Sequence, residues 1–169
     1  MNARANQDLF VDIIRLNKKL IFKVCNGYCK NAEDRKDLMQ EIIIALWQSF
    51  GKYNDHYKLS TWMYRIALNT SISHYRKDRR RNENTVPFNF DLMELEDENQ
   101  ETILDERIKQ LYDFINSLKE MNRALMILYL DNNSYKDIAD ILGITETNVA
   151  TKISRIKIQL KEDFEKIKN

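Results

Sequence analysis

Apolar side chains return along this chain at steps of three and four residues, the spacing of one face of an α-helix, and not in the alternation of a half-buried strand. Leu9, Ile13, Leu16, Leu20 and Val24 form one stripe. Leu38, Ile42, Ala45 and Leu46 form a second, and Leu104, Ile108, Leu111, Ile115 and Leu118 a third. Only 3 glycines and 1 proline punctuate the 169 residues, so the turn signals that sheets require are scarce. The expected class is all-α, and the length suits two small helical modules with thin cores.

Charge places the boundary between them. The formal net charge of +1 conceals segregation: residues 76–81 read RKDRRR, whereas Asp91, Glu94, Glu96, Asp97, Glu98, Glu101, Asp105 and Glu106 follow without an intervening Lys or Arg. With Pro87 and few periodic apolar positions, this stretch fits a solvated linker. The expected division is a module of three or four helices over 1–81, an acidic linker over 82–103, and a four-helix module over 104–169.

In the first module one helix is expected from Asp8 to Val24, broken at Asn26-Gly27. A second runs from near Asn31 to a stop at Gly51. Residues 52–58, KYNDHYK, form a loop, and Ser60 is the expected N-cap of a third helix reaching the basic run. That helix gathers Trp62, Tyr64, Arg65, Asn69, His74 and Tyr75 ahead of the cations and beside Tyr53 and Tyr57. Aromatic rings stack on unpaired bases and cations hold phosphates, so the set suggests melted nucleic acid. Residue by residue, Trp47 and Trp62 also suit core anchors, and a basic helix end also suits a solvated cap.

The sharpest pattern is SYKDIADILGITETNVATKISRIKIQL, residues 134–160, which has helix-turn-helix form. Ser134 with Asp137 makes a capping-box start, and Ile138, Ala139 and Leu142 face inward. Gly143 permits a left-handed turn, and Thr145 caps the next helix. Val149, Ile153, Ile156 and Leu160 form that helix's buried stripe. Thr147, Asn148, Thr151, Lys152, Arg155 and Lys157 are left outward with Glu146, Ala150 and Ser154. Small polar residues near the start of such a helix reach base edges in a major groove, and later cations meet phosphate.

Other chemistry has little support. Cys25 and Cys29 have no third cysteine, and His56 and His74 lie far from them in sequence, so no metal site or other cofactor is expected and both thiols should stay reduced. No Walker-type loop and no close nucleophile–base pairing is visible, which excludes an evident enzyme. Asp37 and Glu41, four apart, suit a solvated partner-binding face better than a metal pair. No signal peptide or membrane-length apolar run occurs, so a cytoplasmic protein is expected, without membrane insertion.

The motif D-L-x-Q-E at Asp37, Leu38, Gln40 and Glu41, the tryptophan at Trp47, the W-x-Y-R-I-A-x-N pattern from Trp62 to Asn69, and the helix-turn-helix follow one another in an order that resembles bacterial RNA polymerase sigma factors of the extracytoplasmic-function (ECF) type, in the sigma-70 family. The resemblance extends from about residue 8 to residue 165. It implies an initiation factor with core RNA polymerase and promoter DNA as partners, and it leaves room for an anti-sigma factor that no residue here identifies. By resemblance, Asp37, Gln40 and Glu41 dock on polymerase, and the loop with Lys52, Tyr53 and Asn54 captures a flipped base. Arg65, Asn69, Arg76, Lys77, Arg79 and Arg80 grip the adjoining strand, the linker threads toward the active centre, and the helix-turn-helix reads the upstream element and touches the polymerase flap. Ala150 and Lys152 depart from the family's usual basic pair, so no family consensus for that element carries over. The alternative is a dimeric helix-turn-helix regulator that binds a palindrome without polymerase; a dimerising bundle has no need of a basic, aromatic third helix.

Overall fold

The computed structural model describes residues 3–81 and 106–168, and every regular element in them is a helix. α1 (Ala3–Leu16), α2 (Lys18–Tyr28), α3 (Ala32–Phe50) and α4 (Leu59–Arg81) form an N-terminal group. α5 (Glu106–Ser117), α6 (Glu120–Leu130), α7 (Tyr135–Leu142) and α8 (Glu146–Lys168) form a C-terminal group. The expected linker 82–103, with its acidic run and Pro87, lies outside the described residues, as do Leu104 and the side chains of Arg79 and Arg80.

Local chemistry explains most helix ends. Asn31 accepts from the Asp34 amide at 2.8 Å and so caps α3. Gly51 closes α3 as expected. Three expectations need correction. The stripe from Asp8 to Val24 is two helices, not one. At Asn17 the backbone leaves the helix (φ −110, ψ 14), and the Asn17 side-chain amide donates to the Ile13 carbonyl at 2.9 Å, so the side chain satisfies the end of α1. The consequence is that Leu9 and Leu16 are 49% and 85% exposed and are not core residues. Gly27 does not break a helix either, since α2 continues to Tyr28. Ser60 is not a cap, because α4 already begins at Leu59 and the Lys58 carbonyl accepts the Trp62 amide at 3.1 Å.

The core is continuous. Ile21, Val24 and Cys25 of α2 meet Leu38, Ile42 and Leu46 of α3 and Met63, Ala67 and Leu68 of α4. α2 also packs on α5 and α6, whose Ile115, Leu125 and Leu128 join the buried set with Ile138, Val149, Ile153 and Ile156. Each such aliphatic side chain contributes about 1.5–3 kcal/mol by burial. Gly27 shows why the two groups fit so closely: a Cβ there would collide with the Ile127 side chain of α6, with Ile127 Cγ1 only 2.9 Å away. Cys25 and Cys29 are both buried among these residues, and burial pushes the Cys25 thiol up to about 12. It stays protonated near neutral pH, as suits a side chain packed in the core.

Candidate nucleic-acid interface

The helix-turn-helix forms from local signals. The Ser134 hydroxyl accepts the Asp137 amide at 3.0 Å and donates to the Asp137 carboxylate at 2.7 Å, fastening the first turn of α7. The Ser134 hydroxyl bond, followed by Lys58, holds the Asp137 carboxyl below its usual range. Gly143 takes φ 68, ψ 36, the left-handed conformation the turn demands, and the Thr145 hydroxyl accepts the Asn148 amide at 3.1 Å to start α8. With Val149, Ile153 and Ile156 buried, the opposite face of α8 has only one direction to point. Thr147, Asn148, Thr151 and Arg155 are exposed and Lys152 is partly so. Lys157 lies 4.4 Å from the centre of the Tyr129 ring, and its contact with Tyr129 holds the ammonium above the usual lysine range.

The loop 52–58 is ordered by its own side chains. The Tyr53 hydroxyl donates to the Tyr57 carbonyl at 3.0 Å, and the Asn54 side-chain oxygen accepts the His56 amide at 3.3 Å. Asp55 has φ 54, a left-handed conformation that Asp tolerates better than most residues. The Tyr53 ring sits 5.1 Å from Trp62, leaving Lys52 and Asn54 exposed at the rim. Along α4, Asn69 and Lys77 are exposed, whereas Arg65 is only partly so: its guanidinium lies 4.3 Å over the Tyr57 ring and donates to the Asp140 carbonyl of α7, at 3.1 Å from Nε. Arg76 reaches the Glu120 carboxylate of α6 at 3.6 Å.

On α3 the expected docking residues share one solvent-facing strip, in which Asp37, Gln40 and Glu41 are exposed and Ile44 and Trp47 extend it at 55% and 45% exposure. Glu41 also pairs with His74 of α4 through Nδ1 at 3.2 Å. Trp47 is therefore at the edge of the core, against Phe10 at 5.1 Å, and not a buried anchor. Among the described residues no three His, Cys, Asp or Glu side chains converge as for a metal ion.

Sequence reasoning missed the residues that join the two helix groups. Asp131, at the end of α6, receives Tyr64 on one carboxylate oxygen and Lys23 on the other. Burial and then this bond push the Tyr64 hydroxyl upward, so it stays a donor. Arg123 is buried, donates to the Leu118 carbonyl at 2.8 Å, to the Asn116 carbonyl and to the Tyr75 hydroxyl at 3.3 Å, and lies 4.4 Å over the Tyr75 ring. The Tyr28 hydroxyl donates to the Glu120 carbonyl at 2.8 Å. Lys58 and Asp137 pair at 3.3 Å. None of these pairs shares a local pattern, and only a buried arginine in an apolar helix hints at one of them.

Known proteins carry the same arrangement. Residues 13–81 match the family model for Sigma-70 region 2, and residues 108–160 match the model for Sigma-70, region 4. RNA polymerase sigma factor YlaC of Bacillus subtilis is 26% identical over 164 residues, covering 95% of each chain. ECF RNA polymerase sigma factor SigW of the same organism is 33% identical over 76 residues, 45% of this chain and 41% of that one. Among solved structures, CnrH bound to the cytosolic domain of CnrY superposes with a TM-score of 0.69 at 16% identity over 94% of this chain and 89% of that one. RpoE of Bartonella quintana, bound to the anti-sigma factor NepR, gives 0.68 at 19% identity over 92% and 96%.

Proposed function

This chain belongs to the sigma-70 family of RNA polymerase sigma factors, in its ECF branch, and from that premise we propose how its two helix groups divide the work of initiation. The chain binds core RNA polymerase and directs promoter-specific transcription initiation. In the proposed division, residues 1–81 dock on polymerase and hold the melted downstream element, 82–103 link, and 104–169 read the upstream element in duplex form.

One observation supports this division above the others: α8 presents Thr147, Asn148, Thr151 and Arg155 to solvent from a helix whose other face is locked into the core. Short polar side chains there reach base edges, Lys152, Arg155 and Lys157 meet phosphate, and the preceding α7 crosses the backbone. The strip of Asp37, Gln40 and Glu41 is the polymerase contact. Lys52, Tyr53 and Asn54 surround a base drawn from the stack, with Tyr53 held against Trp62 as a platform. Arg65, Asn69, Arg76, Lys77, Arg79 and Arg80 carry the strand beside it.

Sigma factors are generally non-catalytic regulators, and this chain is read as having no activity of its own. No helix among the described residues is long and apolar enough to cross a membrane. The proposed workplace is the cytoplasm, where polymerase and promoter are found. As its relative RpoE is held by NepR, an anti-sigma factor is a further proposed partner. The test is transcription from a random promoter library by purified core polymerase with and without this chain. Dependent transcripts starting at a fixed distance from a two-part motif are expected. No stimulation, with palindrome binding in the absence of polymerase, would replace this reading with the dimeric regulator.

A further inference from the structure

The solvent-facing strip of α3 is braced by α4. The two helices pack along Leu38, Ile42 and Leu46 of the one and Met63, Ala67 and Leu68 of the other. Ala67, buried Ser71 and His74 succeed one another at helical spacing, so His74 continues the face that α4 turns to α3. There its Nδ1 lies 3.2 Å from Oε2 of Glu41. The imidazole is 12% exposed and the Glu41 side chain 45%, so a sheltered ring holds a carboxylate that remains open to solvent. The sequence groups His74 with the aromatics and cations of the strand-gripping helix, but this bond directs it toward the docking strip instead.

We propose that His74 is a positioning residue for polymerase docking, holding the Glu41 carboxylate in the orientation in which the strip of Asp37, Gln40 and Glu41 meets core polymerase. The proposal rests on the assignment of that strip to polymerase made above. An unrestrained glutamate on an open helix face spreads over several rotamers, and that freedom is lost on binding. Asp37, one turn earlier on the same face, adds a like charge that pushes the Glu41 carboxylate away. The bond from His74 opposes both effects before polymerase arrives. An Nδ1–H donates to a carboxylate from the neutral ring as well as from the charged one, so the hold does not require a protonated histidine.

The test is a titration of purified core polymerase into the full-length chain labelled at its N-terminus, read by anisotropy. His74→Phe keeps a ring of similar shape and removes the donor, whereas His74→Asn keeps a donor at the position of Nδ1. His74→Phe should bind about threefold more weakly, the loss expected for one side chain no longer preorganised, and His74→Asn should stay within about 1.5-fold of wild type. In a Glu41→Ala chain, itself a weaker binder, His74→Phe should add less than about 1.5-fold, because the group it positions is gone. Urea midpoints of the same variants show whether affinity follows the donor or the stability of the chain.

Equal weakening by His74→Phe and His74→Asn, affinities that follow the urea midpoints, or an undiminished loss in the Glu41→Ala chain would each overturn the positioning role. If Glu41→Ala weakens binding while His74→Phe does not, the docking strip stands and the positioning falls. If Glu41→Ala leaves binding unchanged, Glu41 is not a polymerase contact and the proposal falls with that assignment.

Discussion

The two surfaces proposed to meet nucleic acid differ in how they are made. That of α8 is local: a capped helix buries Val149, Ile153 and Ile156, and its far side is outward by default. That of α4 and its loop is assembled from distant pieces, with Arg65 on Tyr57 and under Asp140, and Tyr53 on Trp62. A locally built surface keeps its shape whatever its neighbour does. An assembled one can be altered by rearranging the neighbour.

The strongest way to break this contrast is Arg123→Ala. It leaves the Leu118 and Asn116 carbonyls without their donor and empties the space beside Tyr75, so a loss of about 3 kcal/mol is expected in urea unfolding. Because Arg123 touches both helix groups, an equal loss should be seen by probes in each; a loss confined to one would show that they unfold separately. Gly143→Val places a β-branched residue at φ 68 and should cost about 2 kcal/mol. Duplex binding should weaken with it while polymerase docking holds, and parallel losses would contradict the local origin of α8. Replacing Gln40 and Glu41 together with Ala should lower polymerase affinity about tenfold, or ~1.4 kcal/mol, with helicity unchanged in circular dichroism. Unaltered affinity would move the docking strip elsewhere. The smallest effect is expected for Arg155→Ala, a few-fold weaker duplex binding with the log–log salt slope reduced by about one. An unchanged slope would mean that this residue does not face phosphate.

What could be read from the chain follows the same division. Ser134, Gly143 and Thr145 each act within three or four residues of their own position, and the sequence exposes such chemistry directly. The stripes of α3 and α8 follow from periodicity. Asn17, however, ends α1 by a side-chain bond to Ile13 with no glycine or proline to announce it. Gly27 carries the opposite lesson: a residue that usually signals a stop is here retained inside a helix because Ile127, one hundred positions away, needs the space. Asp131, Lys23 and Tyr64 meet only in three dimensions, and no spacing rule links them. Exposure of Trp47 was likewise invisible, since an aromatic at helical spacing reads as core whether it lies at the centre or at the edge.

The placement of the chain's 2 tryptophans gives it a pair of built-in optical reporters. Trp47 lies on the exposed α3 strip, 45% accessible, and Trp62 lies beside the loop, 5.1 Å from Tyr53. In a Trp47→Phe chain the remaining emission comes from Trp62 alone. If the loop takes up a base as proposed, the change in that emission would time the capture of a single nucleotide without an attached dye.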